Sequence, residues 1–174
     1  CGSPCGSYNC PDETNILKTT EFSSYAKMLA LYCKNYKAAT GFDIYALGIQ
    51  NEPLFNEPYN SAKLYAPRFS ECLKVVGAHF AADDALKNIK CYGAEHMCTY
   101  GGNTGTSDNN KYIQYLLDDA ATRQYMHAFA VHGYVDGIQL DIGSAADWGW
   151  FASKTDSYSK GMWMTETGFG KGTW

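Results

Sequence analysis

Hydrophobic positions along the chain follow two different periods in turn. Over Glu21–Ala39 apolar side chains recur every three or four residues, which predicts an amphipathic helix that ends at Gly41. A continuous apolar run follows at Ile44–Gln50, as expected of a buried strand. This run stops at Glu52 and Pro53, and because proline cannot donate a sheet hydrogen bond, the predicted strand must end there.

The same change of period repeats three more times toward the C-terminus. Further helices are predicted at Ser61–Phe80, Asn110–Thr122 and Ala145–Tyr158, and further strands at Ile89–Ala94, Met126–Val131 and Gly161–Thr165. Alternating strands and helices are typical of βα repeats, which build a parallel sheet. The pattern therefore predicts an α/β fold in one domain over residues 1–174, with no linker or change of composition that would mark a second domain.

Composition limits the class of protein. The chain has 174 residues, of which 45% are hydrophobic and 18% charged, as in an ordinary globular domain. Its net charge is −4 and its lysines and arginines are scattered, so we expect no nucleic-acid partner. An apolar run of roughly 18 residues, long enough for a membrane span, does not occur in the sequence.

Cysteine usage favours an oxidising compartment. The seven cysteines are Cys1, Cys5, Cys10, Cys33, Cys72, Cys91 and Cys98. A count this high predicts disulfide bonds and a secreted protein, with Cys91 and Cys98 as one plausible local pair. The spacing lacks the paired CxxC pattern of zinc sites, so a zinc site is the weaker alternative. The start lacks both a methionine and a basic leader, so we expect a processed or partial product.

Polar side chains that could carry chemistry collect where the predicted strands end. Glu52 ends the first strand, Glu95 and His96 follow the second, His132 follows the third, and Glu166 follows the fourth. The carboxyl ends of parallel strands share one face, so two of these glutamates can meet across a cleft. Paired carboxylates suit glycoside hydrolysis, in which a separation of about 5–5.5 Å gives retention and about 6.5–9.5 Å gives inversion.

Three short motifs carry a family resemblance. The runs GIQNEP, HGY and WMTETG resemble the retaining glycoside hydrolases of clan A, which are (β/α)8-barrel enzymes. The order of GAEH, DDAATRQYMHAFAVHGY and MWMTE is similar to family thirty in particular. The resemblance implies that this chain is a segment of a (β/α)8 TIM barrel, from the fourth strand to the seventh.

The resemblance also implies roles for individual residues. Glu52 would be the acid/base and Glu166 the nucleophile of a double-displacement reaction that cleaves β-glycosidic bonds in a polysaccharide or glycoconjugate. Asn51 would hold the sugar 2-hydroxyl, Tyr134 would hydrogen-bond Glu166, and His132 would line the same cleft. No cofactor and no metal are expected.

Other polar and aromatic positions have two interpretations each. Glu95 and His96 could contact substrate or could form a structural hydrogen-bonded pair at the mouth of the barrel. Trp148 could stack on a sugar ring or pack in the core. Glu57, in a second Asn-Glu-Pro run, is expected at the rim of the cleft or in solvent.

A segment of four strands leaves a barrel incomplete, since a whole one needs about 250 residues. We therefore expect the rest of the barrel to come from sequence beyond this segment or from another chain, because open sheet edges favour aggregation. The alternative function is a non-catalytic structural or carbohydrate-binding component of an extracellular assembly. A separation of more than about 10 Å between the Glu52 and Glu166 carboxyls would favour that alternative.

Overall fold

Four parallel strands form one sheet in the order in which they occur along the chain. The computed structural model describes residues 15–54, 62–97, 111–133 and 145–167. The strands are β1 (Ala46–Gly48), β2 (Lys90–Met97), β3 (Met126–His132) and β4 (Gly161–Glu166). The parallel α/β organisation predicted from the alternating periods is confirmed.

Helices connect the strands. They are a 3-10 turn at Thr19–Glu21, α1 (Phe22–Thr40), α2 (Ala66–Ala81), a π-helical turn at Gln114–Asp118, α3 (Ala120–Arg123) and α4 (Ala145–Asp156). Helix α1 ends as predicted at Gly41, whose φ of 78° is left-handed and whose N–H donates to the Lys37 carbonyl. Helix α2 carries Pro67 in its first turn, where proline costs no backbone hydrogen bond.

The helix predicted at Asn110–Thr122 is broken in the structure. After the π-helical turn, Asp119 adopts an extended conformation, with φ −75° and ψ 108°. Its carboxylate accepts a hydrogen bond of 2.9 Å from the Ala121 N–H, so Asp119 begins the short helix α3 as an N-cap. The apolar period continues across the break, and for this reason the sequence pattern did not reveal it.

The hydrophobic core lies between the sheet and the helices. Phe69 of α2 packs against β2 at Gly93, where an added Cβ would lie 2.7 Å from the ring. The Phe69 ring meets that of Tyr112 edge-on, with centroids 5.8 Å apart. Phe129 of β3 stacks on Phe151 of α4 at 6.0 Å. These contacts fix the helices on one face of the sheet.

A second apolar surface is exposed on the outer side of α1. Met28, Leu31 and Tyr32 are each more than half exposed, and Phe42 and Tyr45 ahead of β1 are exposed as well. In the described sheet β1 and β4 are the edge strands. None of the described helices is long and apolar enough to cross a membrane.

The cysteine prediction needs correction. Cys33, Cys72 and Cys91 are buried free thiols, so the suggested Cys91–Cys98 pair is wrong. Burial raises the pKa of Cys72 to about 12 and that of Cys91 to about 11, so these side chains act as small hydrophobic residues. Cys98 and the three cysteines before residue 11 lie outside the described residues, and the structure does not support the predicted disulfides.

Candidate active site

Glu52 follows β1 and is held by its backbone. Its N–H donates to the Glu95 carbonyl at 3.0 Å, and its φ of 40° lies in the left-handed region. Just before it, the Tyr25 hydroxyl donates to the Ile49 carbonyl, and the Gln50 amide donates to Ala62 at 2.9 Å. A non-glycine residue at positive φ is costly unless its surroundings fix it, and such residues concentrate at functional sites.

His132 ends β3 and links the two candidate catalytic carboxylates. The imidazole is buried, and its Nδ1 lies 2.9 Å from Glu52 Oε1 in a hydrogen bond. The same nitrogen lies 3.7 Å from Glu166 Oε2. The sequence predicted that His132 lines the cleft, and the structure gives it this direct contact with Glu52.

Glu166 ends β4 in a more open environment than Glu52. Its carbonyl accepts a hydrogen bond of 2.7 Å from the Gly133 N–H, which ties the ends of β3 and β4 together. The side chain of Glu166 is 46% exposed, whereas that of Glu52 is 12% exposed. Two carboxyl groups in unlike surroundings are what a reaction with one acid and one nucleophile requires.

The two glutamates meet although they come from opposite edges of the sheet. In a flat sheet, three strand spacings of roughly 4.8 Å would separate β1 from β4 by about 14 Å. Instead, one ligand atom each from Glu52, His132 and Glu166 all lie within 4.8 Å of one another. Such a close approach is typical of a curled sheet, as in a segment of a barrel. The same three atoms could also hold a divalent cation.

Glu95 is the third carboxylate of the site. The predicted strand Ile89–Ala94 in fact continues to Met97, with a register shift between Ala94 and His96, so Glu95 lies within β2. Its Oε1 lies 3.9 Å from Nε2 of His132, on the opposite side of the ring from Glu52. Burial raises the pKa of the Glu95 carboxyl, although a hydrogen bond with Thr165 and the nearby His132 oppose this.

His96 is next to this cluster. Burial lowers its pKa to about 4, despite the opposite effect of the Glu52 charge. Its ring lies 6.0 Å from that of Tyr112, and within the described residues its buried Nδ1 has no hydrogen-bond partner. Asn51, before Glu52, is exposed.

Trp148, which was predicted either to stack on a sugar ring or to pack in the core, does the second. Trp148 of α4 packs against the hydrophobic core, and its buried indole nitrogen has no hydrogen-bond partner among the described residues. Tyr134 and Glu57 lie outside the part of the chain that the structure describes.

Sequence reasoning missed two supporting residues. A Cβ added to Gly48 would lie 2.5 Å from Glu95 Oε2, so a larger residue would displace this carboxylate. A glycine inside a strand pattern was the signal that could have shown such a close approach. Thr165, which hydrogen-bonds Glu95, gave no signal, because threonine is common in strands.

Comparisons with known proteins show the fold. No protein-family model and no curated protein matches the chain. Among solved structures, an endo-β-1,6-glucanase matches 96% of this chain and 36% of its own, with 24% identity and a TM-score of 0.71. A glycoside hydrolase family 30 subfamily 8 xylanase from Clostridium acetobutylicum matches 89% and 33%, with 26% identity and a TM-score of 0.63.

A more distant structure, SrfJ from Salmonella typhimurium, matches 87% of this chain and 38% of its own, with 12% identity and a TM-score of 0.58. The chain thus spans about a third of the length of each structure it matches. The resemblance predicted from the motifs is confirmed for the fold. The chain is a partial (β/α)8 barrel similar to that of family 30 glycoside hydrolases.

Proposed function

We propose that residues 1–174 are part of the barrel domain of a retaining glycoside hydrolase, with Glu52 as acid/base and Glu166 as nucleophile. The observation that carries this proposal is the meeting of two strand-end carboxylates within 4.8 Å, from opposite edges of one curled sheet. One oxygen of each carboxylate thus lies within 4.8 Å of the other, which is closer to the separation of about 5–5.5 Å in retaining enzymes than to the 6.5–9.5 Å or so of inverting ones. The similarity to a family 30 xylanase supports it.

The reaction proceeds in two displacements. A Glu166 oxygen attacks the anomeric carbon while the bond to the leaving oxygen breaks, and Glu52 gives its proton to that oxygen. The sugar is then held as an ester on Glu166. In the second step Glu52, now ionised, takes a proton from water as the water attacks the anomeric carbon, and Glu166 leaves as a carboxylate. Two inversions restore the starting configuration.

The environments of the two carboxyls suit these roles. The side chain of Glu52 is mostly buried and shares a hydrogen bond with His132, which fixes the orientation of its carboxyl group. Glu166 is the more exposed group, so the substrate can approach its free oxygen. His132 lies beside both carboxyls, with its Nδ1 2.9 Å from Glu52 and 3.7 Å from Glu166.

The other predicted contacts complete the proposal. Asn51, exposed beside Glu52, would hydrogen-bond the sugar 2-hydroxyl, and Tyr134 would hydrogen-bond Glu166. His96, at the edge of the cluster, could reach a substrate from β2. The packing of Trp148 against the core favours a structural role for it over sugar stacking.

The substrate class follows from the resemblance. The similar structures are a β-1,6-glucanase and a xylanase by name, so β-linked glucan and xylan are the first substrates to assay. Secretion of the protein is part of the same proposal, as is completion of the barrel by further sequence or by another chain.

Substitution of the two glutamates tests the assignment. In the complete polypeptide, Glu52→Gln should lower kcat on glucan or xylan by about 10²–10⁴-fold, since it removes the general acid. Glu166→Gln should abolish turnover, because no ester can form. Glu71→Gln, at an exposed position of α2, is the control and should keep full activity. Comparable turnover of the wild type and both site variants would refute the roles.

Product stereochemistry tests the retaining mechanism separately. If the reaction proceeds by double displacement, the first product seen by NMR should be the β-anomer, which then mutarotates. An α-anomer as first product would mean inversion. The rival function, a non-catalytic carbohydrate-binding component, would instead show saturable binding without hydrolysis by the wild type. The close approach of the two carboxyls already disfavours this rival.

A further inference from the structure

A pocket of about 400 Å³ lies at the end of the sheet opposite the candidate active site. It is lined by the end of α2, the start of β2, the start of β3 and Lys160, directly ahead of β4. The residues of the active site lie instead where the strands end. The volume is within the range of roughly 300–1,000 Å³ that small-molecule sites occupy.

The charged residues that line this pocket are basic. Lys87, Lys90 and Lys160 contribute ammonium groups, and His127 contributes an imidazole. None of the described lining residues is acidic, although the whole chain has a net charge of −4. Lys87 is already paired with Asp84 at 2.8 Å. We call the space around the other three, Lys90, His127 and Lys160, the basic pocket.

Strand pairing brings these three residues together from distant parts of the sequence. His127 and Lys160 each precede one member of the pair Ala128–Gly161, and Lys90 is the first residue of the neighbouring strand β2. Neighbouring strands lie about 4.8 Å apart. Like charges placed side by side on neighbouring strands repel each other, so this arrangement is costly without a counter-charge.

The described part of the chain supplies no carboxylate for the two ammonium groups of the basic pocket. Lys90 Nζ lies over the Tyr45 ring, 4.2 Å from its centroid, and Lys160 Nζ donates to the Met126 carbonyl at 2.6 Å. Burial lowers the pKa of His127, and the charges of Lys90 and Lys160 lower it further. Burial lowers the pKa of Lys160 as well. An anion would neutralise this concentration of positive charge.

The charges and donors fit a doubly charged oxyanion. Lys90 and Lys160 together carry two positive charges, and lysine ammonium groups bind phosphate well. His127, whose pKa lies below its ordinary value, is neutral at pH 7 and can donate one further N–H. Phe80 and Tyr125 line the same pocket, and their rings offer contact area to an organic group attached to the phosphate.

We propose that the basic pocket binds the phosphate group of a small monophosphate ester, of about the size of a sugar phosphate. This site is separate from the proposed hydrolase function and uses none of its residues. Further strands of the barrel would join the sheet at its edges, β1 and β4. The walls of the pocket that come from α2, β2 and β3 are therefore complete in this segment.

Calorimetric titration with inorganic phosphate tests the role of charge. In the complete polypeptide, Lys90→Gln and Lys160→Gln should each raise the Kd for phosphate by about tenfold, since each removes a charge-assisted hydrogen bond. Lys27→Gln removes the same charge from an exposed position of α1 and should leave the Kd unchanged. A wild type that does not bind phosphate, or equal Kd values for the wild type and both pocket variants, would overturn the proposal.

Two further measurements guard against loss of structure in the variants. Lys160 also donates to a backbone carbonyl, so Lys160→Gln is compared with the wild type by thermal unfolding without phosphate. Lys160→Arg keeps the charge and should bind phosphate more tightly than Lys160→Gln. Lys90→Gln leaves the backbone bond of Lys160 in place and gives an independent result if Lys160→Gln fails to fold.

NMR of ¹⁵N-labelled histidines locates the bound phosphate. The ring signals of His127, assigned by comparison with His127→Gln, should shift as phosphate is added, because His127 lines the pocket. Those of His132, at the other end of the sheet, should stay in place. A shift of the His132 signals without one of His127 would place the phosphate at the candidate active site and would contradict the proposal.

The organic part of the ligand is tested with a matched set of small molecules. Glucose 6-phosphate should bind at least as tightly as inorganic phosphate, and glucose should not bind the pocket. Weaker binding of glucose 6-phosphate than of phosphate, or a shift of the His127 signals by glucose, would overturn the assignment. Lys160→Gln should keep the hydrolytic kcat of the wild type, so failure of this site and failure of the proposed function are separate results.

Discussion

At the scale of single residues, burial controls the charge of the groups around the candidate site. His96 is the clearest case, because burial lowers its pKa to about 4 while the unfolded chain binds the proton near pH 6.5. The neighbouring carboxylate of Glu52 reduces this shift but does not cancel it. The folded protein therefore prefers the neutral imidazole.

This preference predicts how stability depends on pH. Between pH 6.5 and about 4 the unfolded state binds a proton at His96 that the folded state does not. The contribution is thus fully present above pH 6.5 and is lost as the pH falls to about 4, by about 3 kcal/mol in the free energy of unfolding. Urea denaturation at a series of pH values measures it.

The His96→Gln variant is the matched comparison for that measurement. Glutamine does not titrate, so the difference in unfolding free energy between wild type and variant should change across the window from pH 6.5 to about 4. Parallel curves for the two proteins would show that His96 titrates normally in the folded state.

Some site residues could be predicted from sequence and others could not. Glu52, His132 and Glu166 each follow or end an apolar run, and the geometry of parallel strands brings such ends together. The setting of Glu95 depends on a register shift within β2, which leaves no mark in the hydrophobic pattern. The free thiol of Cys91 was missed because cysteine count says nothing about which residues are buried in the core.

At the scale of elements, a small polar joint connects α2 and α3. The Thr122 hydroxyl donates its proton to the Asp119 carboxylate at 2.8 Å. The Ser70 hydroxyl lies 2.6 Å from the Thr122 hydroxyl oxygen and therefore acts as the donor in that hydrogen bond. This bond from Thr122 is the main reason that the pKa of Asp119 lies below its usual range. Both hydroxyls are buried, so each depends on the other for its hydrogen bond.

Removal of this joint should destabilise the protein measurably. Thr122→Val keeps the shape but leaves the buried Ser70 hydroxyl without its acceptor, which should cost about 1–3 kcal/mol of unfolding free energy. Thr20→Val, at an exposed position, is the control and should change stability by less than about 0.5 kcal/mol. Chemical denaturation of both variants gives the comparison, and equal effects would argue against the joint.

The elements themselves were largely predictable. Helix α1 was expected at Glu21–Ala39 and occurs at Phe22–Thr40. The prediction was close because the apolar period and the terminal glycine indicate the same end of the helix. Strand β1 is shorter than its apolar run, since only Ala46–Gly48 pair with β2. The break at Asp119 escaped prediction because the apolar period extends across it.

At the scale of the whole molecule, the exposed apolar face of α1 and the two edge strands are both surfaces that another element is expected to cover. Met28, Leu31 and Tyr32 form a stripe at helical spacing on the side of α1 away from its buried residues. The chain spans about a third of the structures that it matches. Apolar surface of this kind is stable in water only when another element covers it.

Residues 1–174 produced alone should therefore bind a hydrophobic dye and aggregate. Leu31→Lys should reduce both effects, because it places a charge in the centre of the stripe. Asn35→Lys adds the same charge to an exposed polar position of α1 and should change neither. Dye fluorescence and light scattering as a function of concentration measure the outcome, and equal behaviour of the two variants would mean that this face is not responsible.

The curl of the sheet has one further consequence. Three strand interfaces separate the strand that precedes Glu52 from the strand that ends in Glu166. The distance between the two carboxyls therefore depends on the rotation between neighbouring strands at all three interfaces. A small change of packing under β2, such as at the contact of Phe69 with Gly93, would alter every rotation that follows it. The distance that decides between retention and inversion is thus an accumulated quantity, and the hydrophobic core sets it as much as the two glutamates do.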